Sequence, residues 1–181
     1  MDIVICTGHL GEQIEDYVGN GDRFGVDIKY SHEITPLGTA GALRNASSSL
    51  QEVFLTLYGD SFLFLDIEAI KSFFTSRNKL ALMTVLKNHD QYDKSNTLVD
   101  GETVAKYSKD ELVSGMVHVD YGASMFHKQV LNLIPDDVPY SLEDLFSGLA
   151  KRGELLAFEV EKRFYEIGSK NGIMGYFHLS I

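Results

Sequence analysis

Apolar and polar positions repeat with two different periods along the first half of the chain. Ile3-Val4-Ile5-Cys6-Thr7 is a short apolar run that reads as a strand. Gly11 to Tyr17 places Ile14 and Tyr17 at helical spacing and stops at Gly19. Val26-Asp27-Ile28-Lys29-Tyr30 alternates, as a strand with one exposed face does. The spacing predicts a helix over Gly38 to Ala46, a buried strand over Val53 to Leu57, and a helix over Ile67 to Phe74 with Asp66 as its N-cap. Leu80 to Leu86 is apolar but for Thr84, which suits a central strand covered on both faces. Strand and helix signals in alternation are the pattern of an α/β protein.

After Asn88 the pattern changes. Thr97-Leu98-Val99 and Thr103 to Tyr107 flank Asp100-Gly101, a hairpin with a tight turn. Val117 to Phe126 reads as a strand, Ser141 to about Gly153 as a helix, and Leu155 to Phe164 as a strand again. No repeat and no long linker interrupts the chain, so residues 1–181 are expected to form one domain.

Composition narrows the function classes. With 181 residues and 44% hydrophobic content, the chain can bury a substantial core. A formal net charge of −10 argues against nucleic acid or an anionic membrane as partner, since both need a basic face. No apolar run approaches the ~20 residues that span a bilayer. The single cysteine, Cys6, cannot form an internal disulfide, which suits a reducing cytoplasm, and its apolar surroundings predict a buried thiol. The histidines show no paired metal-ligand spacing, and neither a Gly-x-Ser-x-Gly elbow nor a Gly-x-Gly-x-x-Gly fingerprint is present.

Two segments carry candidate chemistry. Leu57-Tyr58-Gly59-Asp60-Ser61 ends a buried strand on a single carboxylate. In open α/β sheets, ligands sit outside the carboxyl ends of strands, so Asp60 is placed to face a site. Pro36-Leu37-Gly38-Thr39-Ala40-Gly41 is a small-residue loop entering a helix, where backbone N–H groups can approach a ligand.

In this order and spacing the two segments resemble the sugar-phosphate nucleotidyltransferases, most closely the branch of heptose-1-phosphate and mannose-1-phosphate guanylyltransferases. The likeness runs from Ile3-Val4-Ile5-Cys6-Thr7-Gly8 to Phe164-Tyr165-Glu166-Ile167-Gly168-Ser169. It implies a Rossmann-like mixed, mostly parallel sheet with helices on both faces. Residues 1–88 would form a nucleotide-binding half and residues 89–181 a sugar-phosphate-binding half. The family's opening strand and Gly-rich phosphate loop have no counterpart, so the expectation is a fold truncated at its N-terminus, slow in turnover, with a sheet edge open to self-association.

The resemblance further implies Mg²⁺ as cofactor, with Asp60 and Glu166 as its carboxylates. Most relatives have Asp where Glu166 stands. Glu33, Leu37, Gly38 and Thr39 would frame the nucleobase. Glu33 suits the paired donors of guanine, while Thr35 stands where many relatives have a second Glu. Lys109 would face substrate phosphates, with Lys106 as its rival. Asp120, Gly122 and Glu143 would take the sugar. Ser141-x-x-Asp144 is also a capping box, which accounts for Asp144 and leaves Glu143 open.

The implied partners are a nucleoside triphosphate, GTP by preference, and a sugar 1-phosphate, for the making of nucleotide-sugars used in cell-envelope glycans. Other readings stay open: a non-catalytic sugar-nucleotide-binding or regulatory protein, a metal-dependent glycosyltransferase of related fold, or a purely structural domain. A glycosyltransferase would usually show Asp-x-Asp, and Asp60-Ser61-Phe62 does not.

Overall fold

The computed structural model describes residues 1–136, 138–168, 173 and 174; Ser169, the end of the last family-like segment, lies outside them. The chain divides into two compact units, residues 1–53 with 128–145, and residues 54–127 with 146–181.

The first unit is built on a β-α-β element. Strand β1 (Asp2–Thr7) runs parallel to β2 (Asp27–His32), in register Ile3 with Ile28 and Ile5 with Tyr30, and α1 (Gly11–Val18) connects them. Helix α1 ends at Gly19, whose φ of 65° is left-handed and whose N–H donates to the Glu15 carbonyl at 2.8 Å. Helix α2 (Gly38–Asn45) follows, with Ala40 and Gly41 buried. Cys6 is exposed, not buried as its apolar neighbours suggest. Among the described residues β1 is paired along one edge only, by β2, so its side chains are not enclosed as those of a central strand are.

The second unit holds the larger sheet. Strands β3 (Val53–Leu57), β5 (Ala81–Lys87), β6 (Thr97–Asp100), β7 (Thr103–Tyr107), β8 (His118–His127) and β9 (Leu155–Val160) are ordered β3-β8-β5-β9-β7-β6. Strand β5 is buried from Ala81 to Leu86 because β8 and β9 flank it on its two edges and apolar side chains leave both its faces. The short strands β4 (Ser61–Phe62) and β10 (Tyr165–Glu166) form a separate antiparallel pair. Helix α3 (Ile67–Thr75) starts where expected, with Asp66 Oδ1 accepting the Ala69 N–H at 3.0 Å. Helix α4 (Leu142–Lys151) follows Ser141.

The sheet is mixed, with a larger antiparallel share than the early alternation suggests. In the six-stranded sheet β5–β9 is parallel, whereas β8 runs antiparallel to β5 and β7 antiparallel to β9; the parallel pair β1–β2 is a sheet of its own in the first unit. Strand β9 ends at Val160, well short of Phe164, and the chain re-enters a ladder only at Tyr165. Its last partner in β5 is Leu86, opposite Val160, so the ladder runs out there.

Candidate functional site

The carboxylate pair is assembled by a short ladder. Beyond β3, the turn through Tyr58-Gly59-Asp60 leads directly into β4, where Ser61 pairs with Glu166 of β10. The Ile167 N–H donates to the Asp60 carbonyl at 2.6 Å, which closes the far side of the pair. A Cβ placed on Gly168 would meet Glu166 Oε1 at 2.6 Å and Asp60 Oδ2 at 3.0 Å. The two carboxylates therefore converge on one small space that a side chain at position 168 would fill. Asp60 is exposed and Glu166 half-buried.

A hard divalent cation such as Mg²⁺ takes oxygen ligands and is commonly held by one or two carboxylates together with substrate phosphates and water. The Asp60–Glu166 pair fits that donor set. Among the described residues no group of three or more His, Cys, Asp or Glu side chains gathers to hold a metal alone.

In the same unit, β8 is bulged. Met83 of β5 pairs with Ser124, and Val85 with Asp120, so Tyr121, Gly122 and Ala123 stand opposite the single residue Thr84. Bulges of this kind re-aim side chains and recur beside active sites. Gly122 has φ of +93° and its Cβ would lie 3.3 Å from the Tyr58 ring, so the position needs glycine for both its conformation and its closeness to the Asp60 turn. Its carbonyl accepts the Tyr58 N–H at 3.3 Å.

Asp120 Oδ1 accepts the Gly122 N–H at 3.0 Å. Burial pushes the Asp120 carboxyl up to about 6; the Gly122 N–H, the Lys109 ammonium and the Tyr107 hydroxyl each pull it back in part. Asp120 retains some exposed surface, but protein surrounds its carboxyl, and desolvation prevails over these partners. Lys109 is thus brought to Asp120, while its rival Lys106 pairs with Glu111 at 3.3 Å.

The Gly-containing loop lies in the first unit and is folded around a backbone partner. The Tyr140 carbonyl accepts the N–H groups of Ala40 and Gly41 at 3.0 and 3.1 Å, and the Tyr140 N–H donates to the Leu37 carbonyl at 2.8 Å. Gly38, at φ +74°, would carry a Cβ 2.7 Å from that same Tyr140 carbonyl. The Thr39 hydroxyl accepts the Leu142 N–H at 2.8 Å and so caps α4. Much of this loop's polarity therefore serves its own packing. The N–H groups of Gly38 and Thr39, at the start of α2, have no hydrogen-bond partner among the described residues.

Glu33 reaches back to this loop, its Oε2 accepting the Leu37 N–H at 3.1 Å. Its Oε1 lies 2.8 Å from where a Cβ on Gly8 would be, so Gly8 makes room for the carboxylate. Cys6 has exposed surface, but protein around its Sγ partly desolvates the thiol; that desolvation first, and then the negative charge of Glu33, raise the thiol above its ordinary value. Glu143 is half-buried in the first turn of α4. Ser141 caps α4 as expected, the Asp144 N–H donating to Ser141 Oγ at 3.0 Å, but Asp144 Oδ2 accepts from the Ser141 hydroxyl at 2.6 Å and not from its backbone N–H as in a full capping box.

Three contributors escaped the sequence reading: Gly168 beside the carboxylates, Tyr107 on Asp120, and the Tyr140 carbonyl under the loop. Only Gly168 had a local signal, its place two residues after Glu166 at the end of a strand-like run. Among the described residues no helix is long and apolar enough to cross a membrane.

The nucleotidyl transferase family model matches residues 1–100. The mannose-1-phosphate guanylyltransferase catalytic subunit beta of Drosophila pseudoobscura pseudoobscura is 28% identical over 174 residues, covering 92% of this chain and 46% of the fly protein. The UTP–glucose-1-phosphate uridylyltransferase of Synechocystis is also 28% identical, over 92% of this chain and 48% of its own length. The heptose 1-phosphate guanylyltransferase of Campylobacter jejuni is 23% identical over 99% of this chain and 78% of its own. The chain thus spans about half the length of the first two relatives. In fold, it superposes on HddC from Yersinia pseudotuberculosis, solved with GMP-PN, with a TM-score of 0.78 at 21% identity, over 99% of this chain and 78% of that one.

Proposed function

Since the chain belongs to the nucleotidyl transferase family, we propose that it serves in joining GTP to a sugar 1-phosphate of the mannose or heptose type, with release of pyrophosphate. A phosphate oxygen of the sugar 1-phosphate attacks the α-phosphorus, a new P–O bond forms, and the bond to the β-phosphate oxygen breaks. The protein's part in such a displacement is positioning and neutralisation of charge.

The observation that carries this reading is the convergence of Asp60 and Glu166 on the space beside Gly168. These two carboxylates would hold Mg²⁺, which when bound offsets negative charge on the phosphates. Lys109 adds a cation beside Asp120. The bulged Asp120-Tyr121-Gly122 segment would take the sugar, and Glu143 would accept bonds from its hydroxyls. In the first unit, the N–H groups of Gly38 and Thr39 and the carboxylate of Glu33 would hold the base. Guanine is favoured by Glu33, since a carboxylate can accept from both N1–H and the exocyclic amine.

The test is Mg²⁺-dependent binding of GTP by the parent and by Asp60→Asn, with pyrophosphate release from GTP and mannose 1-phosphate as the companion assay. Asp60→Asn keeps the shape and removes the charge, so the fold should persist and Mg²⁺-dependent binding should be lost. Glu166→Gln should weaken binding less. Undiminished Mg²⁺-dependent binding by Asp60→Asn would overturn the metal assignment.

A further inference from the structure

Asn96 is a junction between the bend after β7, which carries Lys109, and strand β8, which carries Asp120. Its N–H donates to the His118 carbonyl at 2.9 Å, and its own carbonyl accepts the Ser108 N–H at 3.0 Å, one residue before Lys109. Its side-chain Oδ1 accepts the Asp120 N–H at 3.1 Å and the Thr97 hydroxyl at 2.9 Å. A backbone N–H can only donate, so the amide is oriented with its oxygen towards Asp120. The residue is only 8% exposed.

The other branch of this amide has no such use. Among the described residues nothing accepts a hydrogen bond from Asn96 Nδ2. Nor is Nδ2 sealed in the core, because His118 Nδ1 is the one fully buried side-chain polar atom without a partner among those residues. A side chain nine-tenths buried, locked by two accepted bonds, thus carries an NH₂ group that has no protein acceptor among the described residues and is not fully buried, on the amide that holds the Asp120 N–H. Such a donor, paid for in advance by packing, can discriminate a ligand because holding it costs little further ordering.

We propose that Asn96 is a substrate-binding residue, its Nδ2 donating to an oxygen of the sugar 1-phosphate. This rests on the sugar-phosphate reading of Asp120 and Gly122. On that reading Asp120, which retains some exposed surface, would accept from a sugar hydroxyl, and Asn96 would supply the matching donor next to it. The same bonds make Asn96 a link between substrate and Lys109, since the Asn96 carbonyl holds the Ser108 N–H.

Two variants test it. Asn96→Asp keeps an oxygen to accept from the Asp120 N–H and Thr97 hydroxyl but removes the NH₂ donor. Asn96→Ala removes the amide without adding charge. Calorimetric titration of the full chain with mannose 1-phosphate should show binding weakened about ten-fold or more in both variants, the loss expected of one hydrogen bond to a ligand. Titration with Mg²⁺ and GTP should stay within about two-fold of the parent. In a ¹⁵N spectrum of the parent, the two Asn96 Nδ2–H signals, assigned by their absence in Asn96→Asp, should move on addition of mannose 1-phosphate. That readout needs no folded variant beyond the one used for assignment, and selective ¹⁵N-Asn labelling with sequential assignment replaces it if Asn96→Asp does not fold. Signals that stay fixed at saturation, or equal losses for both ligands, overturn the proposal and leave Asn96 a structural junction. A parent that binds mannose 1-phosphate as tightly as Asn96→Ala does sinks this inference alone. A parent that binds Mg²⁺ and GTP but neither mannose 1-phosphate nor glucose 1-phosphate removes the sugar reading itself, and this inference with it.

Discussion

Gly168 stands 2.6 Å, measured from the Cβ it lacks, from Glu166 Oε1. The same point lies 3.0 Å from Asp60 Oδ2, so a methyl group at position 168 would occupy the space on which both carboxylates converge. Gly168→Ala should leave the fold intact, since the nearest atom belongs to a side chain able to swing aside. Displacing Glu166 should cost Mg²⁺ affinity roughly 10-fold or more, in line with losses when a ligand's supporting contacts are altered. A Mg²⁺ titration of GTP binding checks this; an unchanged midpoint would separate Gly168 from the metal.

Glu33 links the loop at Leu37 to Cys6. Partial desolvation of the Sγ comes first in raising the Cys6 thiol, and the Glu33 charge adds to it. Glu33→Gln retains an acceptor for the Leu37 N–H and removes the charge, so the thiol pKa should fall and alkylation of Cys6 at pH 7.5 should accelerate a few-fold. The same variant should weaken GTP more than UTP. Alkylation rates that do not differ would show that Glu33 lies further from Cys6 in solution, and equal losses for both nucleotides would remove Glu33 from the base site.

Asp120 makes stability depend on pH in an unusual direction for a carboxylate. Its folded pKa, raised by burial to about 6, exceeds the ordinary value of 3.8. Between those two values the folded protein binds more protons than the unfolded chain, so this group's contribution to stability declines as pH rises through the window. Above about 6 the cost of the buried charge is fully present. Asp120→Asn should flatten that part of the pH profile and raise the melting temperature at pH 7.5 relative to the parent, while weakening the hold on Lys109. Thermal melts of both proteins from pH 4 to 8 check it; parallel profiles would contradict the shift.

Ser141 starts α4 through a reciprocal bond with Asp144. Ser141→Ala leaves the Asp144 N–H without its side-chain acceptor and should cost about 1 kcal/mol in a denaturant titration. Binding of Mg²⁺ and GTP should be little changed. A loss above about 3 kcal/mol would mean that the cap also supports packing elsewhere.

Much of this protein was legible from the chain alone, wherever neighbours in sequence decide the outcome. The apolar run Ala81 to Leu86 could only be a strand buried on both faces, and Asp66 and Ser141 announced their helices because a cap bonds an N–H three residues on. Asp60 was visible as the carboxylate that ends β3 for the same local reason. What the tertiary structure alone decided are meetings between residues far apart in sequence. The family resemblance pairs Asp60 with Glu166, but nothing in the local pattern says that Gly168 leaves the space between them, nor does anything near Ala40 foretell the Tyr140 carbonyl that takes its N–H. The bulge that brings Gly122 against the Tyr58 turn arises from a mismatch in length between β8 and its partner β5, which neither strand's own pattern records. Cys6 reads as buried and is exposed because burial depends on which strands lie alongside β1, and a side-chain period carries no information about neighbours across a sheet.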